Sequence, residues 1–158
     1  MPKPSVGQLG FGGAIGGVIY YTLALFNPRV LLTVSNDAVP PGGTLDVAWD
    51  VPMRAERIEQ LTIDVIAEEK ATYQRGTDTV TDTEEVLTHR LADTDDPRQI
   101  VSGMASYDVP VDAMHSFDAS NNKIEWKLKV VGRINRWPDV RNEYRIVVLP
   151  TADERGRA

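Results

Sequence analysis

The chain has 158 residues, among them 17 basic residues, 23 acidic residues and no cysteine, and its formal net charge is −6. An acidic chain repels phosphate backbones, so nucleic acid is not expected as a partner. The absence of cysteine excludes disulfides, thiol catalysis and thiolate metal sites. The length fits one domain of ordinary size with a terminal extension.

The N-terminal segment carries no charged residue between Lys3 and Arg29. Within it, the run from Val6 to Phe26 would form an apolar helix about 30 Å long, which matches the thickness of a bilayer core. The pattern predicts a membrane helix within an N-terminal segment of residues 1–28. It places the protein at a membrane, with the bacterial inner membrane expected and the side of the following domain undetermined.

The glycines of this segment leave two alternatives open. Their G-x-x-x-G spacing allows helices to approach closely in lipid, but they also make the run only weakly apolar. The segment could instead be an arm docked on a neighbouring subunit, in a cytoplasmic assembly or a homo-oligomer. A signal peptide fits less well, because no small-x-small cleavage site follows Phe26. The residues expected to make the contacts of this segment are Gly12, Gly13, Gly16, Gly17, Tyr20 and Tyr21.

Residues 29–150 show the alternation of apolar and polar residues that is typical of β-strands. The pattern predicts a long hairpin, with strands at 61–75 and 78–91 around the turn Arg75-Gly76-Thr77-Asp78. The second of these strands is rich in threonine. Further strands are predicted at 30–34, 44–51, 100–109, 123–132 and 142–149. Loops are predicted at 92–98 and at 111–122, the latter with a helical turn at 112–115, and residues 151–158 are predicted to be a disordered tail.

No predicted helix after residue 29 is long enough to cover a sheet. The sequence therefore predicts an all-β fold, a single antiparallel β-sandwich preceded by the N-terminal apolar, glycine-rich helix. Its core is expected to include Trp49 and Trp126, which lie on apolar strand faces. Trp137, beside Pro138 in a turn, is expected to be more exposed. Local packing against the end of the sandwich is its favoured role, and it is also the candidate interface residue.

Four stretches of the chain also resemble a known group of proteins. They are EEKATYQRGTDT at 68–79, YDVPVDAMHSF at 107–117, NNKIEWKLKVVGRI at 121–134 and WPDVRNEYRIVVLP at 137–150. Together they resemble the C-terminal arrestin-like or immunoglobulin-like sandwich of uncharacterised bacterial membrane proteins, in which membrane helices precede the sandwich. The resemblance covers about residues 40–150 and rests on core and turn positions. It implies a scaffold or adaptor, and it carries over no functional residue.

The residues that could support chemistry are few. His115 is followed by Ser116 and flanked by Asp112 and Asp118, but no nucleophile-elbow glycines surround the serine, so loop capping is expected. Asp93, Asp95 and Asp96 offer hard oxygens that suit Ca²⁺, but they lack the spacing and the closing glutamate of an EF-hand loop. A solvated acidic loop is expected there instead, and neither a metal nor a cofactor is predicted.

These observations favour a membrane-anchored, non-catalytic interaction or scaffold domain that binds a protein partner. The expected binding surface is an exposed sheet edge, with the threonine-rich strand 78–91 as the candidate. Two alternatives are a soluble subunit of a larger assembly, with the glycine-rich arm docked on a neighbour, and a hydrolase that uses His115.

Overall fold

The computed structural model describes residues 26–151, which form nine β-strands, one short α-helix and one 3-10 turn. The strands are β1 (Leu31–Val34), β2 (Ala38–Val39), β3 (Thr44–Asp50), β4 (Gln60–Arg75), β5 (Asp78–Thr94), β6 (Ser102–Asp108), β7 (Phe117–Asp118), β8 (Asn122–Arg133) and β9 (Val140–Val148). The 3-10 turn is Ala55–Arg57 and the helix, α1, is Pro97–Val101. The described part of the chain is therefore predominantly β, as the sequence predicts.

The strands form two sheets. The smaller sheet has the order β1-β3-β6, and the larger has the order β2-β9-β8-β4-β5 with β7 paired to β8. All pairs are antiparallel except β2 with β9, which is parallel. The prediction of a purely antiparallel fold is wrong at this point. After β1, the chain crosses to the larger sheet at Ser35–Asp37 without reversing, so β2 keeps the direction that β1 and β9 share.

The two sheets pack face to face around a shared apolar core. Leu45 and Val47 of the smaller sheet join Val65, Trp126 and Leu128 of the larger sheet in one buried cluster. The predicted inward faces are confirmed for β3, β4 and β8, where every second residue is buried against the other sheet. Their buried residues are Leu45, Val47, Trp49, Leu61, Ile63, Val65, Ala67, Ile124, Trp126, Leu128 and Val130.

The β4–β5 hairpin is confirmed and is longer than predicted. Gly76 begins its two-residue turn with φ at 67°, a left-handed value that glycine adopts without a steric penalty. Asn122, the first residue of β8, pairs with Ala71, so the rows beyond Ala71 contain only β4 and β5. The last four rows of the hairpin are a two-stranded ribbon.

Three local predictions between β5 and β8 are wrong. Residues 92–98 are not all loop, because β5 continues to Thr94, and Ile100 lies in α1 rather than at the start of a strand. Pro97 begins the helix and the Asp96 carboxylate accepts the Arg98 N–H at 2.9 Å, a capping arrangement that outweighs the strand-like sequence after it. Residues 112–115 form no helix, and the two-residue strand β7 follows instead.

The predicted apolar helix, with Gly12, Gly13, Gly16, Gly17, Tyr20 and Tyr21, lies outside the described residues, except for Phe26 at its end. The predicted tail from residue 152 onward lies outside them too. Between residues 26 and 151, no helix has the length and apolar character needed to span a bilayer.

The register places the connecting loops at two opposite ends. Leu31 pairs with Asp50, Gln60 with Arg133 and Leu61 with Thr94, and Asp50 also pairs with Ser102, which brings residues 26–30, 51–59, 95–101 and 133–139 together. We call these four segments the proximal end, because the chain enters the fold there. The distal end consists of residues 35–43, 75–78 and 109–121.

The outer face of the larger sheet is covered by ion pairs. Asp64 and Glu68 are buried on this face, and they pair with Arg90 and with Lys127, the latter at 2.6 Å. Ile66 lies between them and is only 2% exposed. The aliphatic stems of long charged side chains cover such a residue while their charged groups stay in water. This face is neutralised internally, so we place no binding site on it.

Glu125 lies within this network and gives it a pH dependence. Its carboxylate accepts a hydrogen bond from the Lys70 ammonium at 2.8 Å and lies 3.4 Å from the Arg145 guanidinium. The bond from Lys70 lowers the pKa of Glu125, against the opposing effect of partial burial. A lowered carboxyl pKa adds stability above the pKa of the unfolded chain, and this stability is lost as the pH falls through the folded-state value.

We therefore expect the free energy of unfolding to decrease as the pH falls below about 4.3, the ordinary pKa of glutamate. Glu125→Gln should flatten this acid limb in urea unfolding curves recorded over a series of pH values. Glu84 has no ion-pair partner within residues 26–151, so Glu84→Gln removes a carboxylate without breaking such a pair and controls for the change in net charge. An acid limb of unchanged slope in Glu125→Gln would contradict the prediction.

Candidate partner-binding edge

The feature most suited to binding a partner is the free edge of β5. This strand of 17 residues is the last in the order of the larger sheet. Within residues 26–151, no strand pairs with its outer side, and no backbone hydrogen bond beyond the β4 ladder reaches residues 78–94. Unpaired N–H and C=O groups along an edge are a template for the addition of another strand.

Two bulges limit how much of this edge is regular. The register between β4 and β5 shifts after Ala67 and again after Ile63, so that Val86 and Leu91 are left without a partner. Bulges interrupt the ladder and twist an edge away from a partner strand. The uninterrupted stretch is Asp78–Glu85, which we call the docking segment. Its eight residues span about 26 Å at 3.3 Å per residue.

The rest of β5 belongs to the sandwich. The His89 ring packs against Tyr107 of β6, with 4.9 Å between the ring centroids. Leu87 and Leu91 are half-buried and pack against the core. The half of β5 after the first bulge is therefore held against the smaller sheet, and the docking segment extends beyond that contact.

Side-chain hydrogen bonds across the hairpin hold the docking segment extended. The Thr72 and Thr81 hydroxyls lie 3.1 Å apart, and Gln74 donates to Thr79 at 3.1 Å. The Tyr73 hydroxyl donates to Asp82 at 3.0 Å, which raises the pKa of this phenol. A two-stranded ribbon is marginal on its own in water, so these bonds and a third strand would both stabilise it.

The docking segment is strongly acidic. It contains four carboxylates and no basic residue. Glu84 pairs directly with Glu69 across the hairpin, and no cation lies within ion-pair distance of either carboxylate in residues 26–151. Like charges opposite one another are destabilising, and a basic partner would relieve this repulsion. Glu68 faces Glu85 in the next row, but Lys127 neutralises it.

Trp137, the predicted interface residue, lies at the proximal end and is half-buried rather than exposed. The Arg57 guanidinium lies 4.7 Å from the centre of its ring, a cation–π contact. Its indole N–H is buried without a hydrogen-bond partner in the described part of the chain. The ring packs against the buried cluster of that end, and its role in an interface stays a prediction.

His115 and Ser116 are separated by their contacts. Ser116 exchanges two hydrogen bonds with the backbone of Val148, at 2.8 and 2.9 Å, as the capping interpretation expects. The His115 ring packs near Phe117, 5.9 Å between centroids, beside a cleft of about 290 Å³. Asp118, one of the two aspartates that flank His115 in the sequence, pairs with Lys123 at 3.2 Å. This geometry ties the serine to β9 rather than to a proton relay.

Asp93, near the end of β5, and Asp96, just after it, have structural partners. Asp93 accepts from Gln60 at 2.6 Å and pairs with Arg90 at 2.8 Å, while Asp96 caps α1. In residues 26–151, no three histidine or acidic side chains come together in a way that could hold a metal ion.

Arginines at the proximal end form a second surface, which the sequence pattern does not predict. Arg54 and Arg57 each donate to the backbone carbonyl of Phe26, at 2.9 and 3.0 Å. The signal in the sequence was only the presence of arginines after the uncharged segment. Their convergence on Phe26 depends on long-range contacts that no local pattern reports.

Comparison by sequence finds no matching family and no matching curated protein. By structure, the chain is similar to the sporulation control protein Spo0M of Bacillus subtilis, with a TM-score of 0.51 and 14% sequence identity. The similarity covers 78% of this chain and 49% of that one, so this chain spans about half the length of that neighbour. The likeness concerns the fold, and it supports the arrestin-like β-sandwich that the resemblance implies.

Proposed function

We propose that this chain is a non-catalytic interaction module that is anchored at a membrane by its N-terminal segment and recruits a protein partner. The partner adds a strand to the docking segment of β5. The observation that carries the proposal is the uninterrupted, unpaired edge Asp78–Glu85, flanked by a bulge on one side and the hairpin turn on the other.

The acidity of the docking segment defines the chemistry of the partner. Asp82 and Glu84 lie on the inner face of the hairpin, opposite Ala71 and Glu69, in rows near the end of β8. A partner strand with lysine or arginine at alternate positions would place its cations beside these carboxylates. Backbone hydrogen bonds would supply affinity, and the alternating charges would supply specificity.

The non-catalytic part of the proposal is supported by the fold and by the use of the candidate side chains. The arrestin-like neighbour is described as a control protein, which accords with a scaffold or regulatory role. Ser116 is committed to the backbone of β9. The membrane part is supported by the uncharged run that ends at Pro28, directly before the first strand.

Photocrosslinking of the full chain in its native cells tests the edge. A benzoylphenylalanine at Thr81 or Thr83 should give one discrete adduct with a partner protein. Val147, exposed on β9 in the interior of the same sheet, is the control position and should give none. Charge reversal by Asp82→Lys with Glu84→Lys should reduce the adduct by about tenfold or more, because close charge pairs contribute strongly to association.

Two results would contradict this proposed function. One is the absence of a discrete adduct from either β5 position. The other is an adduct of undiminished yield from the charge-reversed chain, provided that its circular dichroism and thermal unfolding match those of the wild type.

A further inference from the structure

The proximal end fixes the direction in which the chain enters the fold. Besides the two arginines that bind the Phe26 carbonyl, the Asn27 amide donates to the Pro138 carbonyl at 2.9 Å. The Tyr144 hydroxyl donates to the Val30 carbonyl at 3.1 Å. These contacts join residues 26–30 to the segments 51–59 and 133–139. The uncharged run therefore meets the sandwich at a defined place.

Two arginines at this end have an unusual backbone. Arg54 has φ at 60° and Arg136 has φ at 54°, and they are the only residues other than glycine with positive φ in the described part of the chain. Arginine gains nothing from this left-handed conformation, which asparagine or glycine would adopt more readily. Strained positions of this kind cluster at functional sites. Both side chains are exposed.

The charges of the molecule are divided between its ends. The four proximal segments carry six arginines and five acidic residues, whereas the distal end carries one arginine and four acidic residues. A net acidic protein would be repelled by an anionic surface if its charges were evenly spread. The proximal end has a net charge of +1 and the distal end one of −3, and this division directs the acidic end away from such a surface.

Exposed apolar side chains accompany the proximal arginines. Phe26 is 54% exposed and Met53 is 69% exposed, and Leu31 at the start of β1 is 52% exposed. Arginines beside exposed apolar side chains are the pattern of a surface that rests on the lipid–water interface. The apolar groups enter the acyl boundary, and the guanidinium groups bind phosphates.

We infer that the proximal end is a second binding site, one that docks on the headgroups of anionic phospholipids through Arg29, Arg54 and Arg136, with Phe26 and Met53 in the interface. The inference rests on the proposed membrane anchoring and adds the lipid class and the residues that recognise it. Arg57 serves a different purpose: like Arg54 it donates to the Phe26 carbonyl, but its guanidinium also stacks on Trp137 and the residue is half-buried, whereas Arg54 is exposed. Docking would hold the sandwich in one orientation on the membrane.

The test uses the full chain reconstituted into vesicles of phosphatidylcholine alone or of phosphatidylcholine with phosphatidylserine. Amide hydrogen exchange is measured at residues 53–57 and 135–137. We expect slower exchange in the vesicles that contain phosphatidylserine, and the difference should disappear in high salt. Arg29→Gln with Arg136→Gln should lower the equilibrium constant for docking by about 30-fold, since each arginine near such a surface contributes a factor of about five.

Arg29 and Arg136 are chosen because they make no hydrogen bond or ion pair within residues 26–151, so their loss leaves the fold intact. The matched control, Arg75→Gln with Arg145→Gln, removes the same charge from exposed positions outside the proximal end and should behave as the wild type. Equal exchange in both kinds of vesicle would overturn the lipid contact while leaving anchoring in place.

Failure of the full chain to associate with either vesicle would overturn the anchoring and, with it, the docking. Protection of the same residues in a lipid-free oligomer would identify a second copy as the occupant and also overturn the proposal.

Discussion

Trp126→Ala should lower the free energy of unfolding by about 3–5 kcal/mol, the range for removing a large aromatic side chain from a core. Trp126 lies in the middle of β8, is 2% exposed and packs with residues of both sheets. Its indole N–H donates to the Met114 carbonyl at 2.9 Å. The substitution removes this apolar volume and leaves the carbonyl without its donor. Urea unfolding at neutral pH measures the change.

Trp126→Phe separates the two contributions. Phenylalanine keeps most of the apolar volume but lacks the N–H, so we expect a smaller loss of about 1–3 kcal/mol. The Met114 bond also ties the loop before β7 to the core, so exchange of amides 112–116 should speed up in both variants. A loss below about 1 kcal/mol in Trp126→Ala would contradict the central position of this side chain.

Gly103→Ala should cost about 1–3 kcal/mol or more, because it forces an atom into an occupied space. A Cβ at Gly103 would lie 2.7 Å from Cε2 of Trp49 and closer still to Cζ2. The ring has little freedom to move, since it is 7% exposed and its N–H donates to the Gln99 carbonyl at 2.8 Å. That bond fastens α1 to β3, so the strain reaches the helix as well.

A double-mutant cycle with Trp49→Phe identifies the cause. Phenylalanine lacks the ring atoms nearest to the new Cβ, so Gly103→Ala should be much less costly in that background. The coupling free energy should then fall in the range of about 0.5–3 kcal/mol that is found for residues in contact. Simple additivity of the two changes would show that the clash with Trp49 is not the source of the instability.

The sequence predicts the strands with one buried face well. In β3 and β8, alternate residues are buried against the other sheet, so the period-two pattern is strong and its assignment is confirmed. The hairpin turn is also predictable, because Gly76 needs a left-handed backbone. Helix α1 is not predicted, because its five residues are too short for a helical period to emerge. The parallel β2–β9 pair depends on where the chain crosses between sheets, which no local pattern encodes.

The candidate edge is predictable in part. A threonine-rich, polar strand predicts a sheet edge, and β5 is indeed the edge strand of the larger sheet. The sequence does not predict where its regular part ends. Each bulge is a shift of β5 against β4, and both strands keep their alternation around it. The arginines proposed to contact lipid come from three separate segments, and only the register of the sheets brings those segments together.

The length of β4 determines how far the two proposed contacts lie from each other. From Gln60 at the proximal end to Arg75 at the hairpin turn, β4 extends about 50 Å, and Glu68, opposite the end of the docking segment, lies about 26 Å along it. In the proposed arrangement the sandwich would act as a spacer: a strand added to Asp78–Glu85 would stand about 25 to 50 Å above the surface that the proximal end contacts. A partner captured at that height lies beyond the headgroup layer and needs no membrane segment of its own.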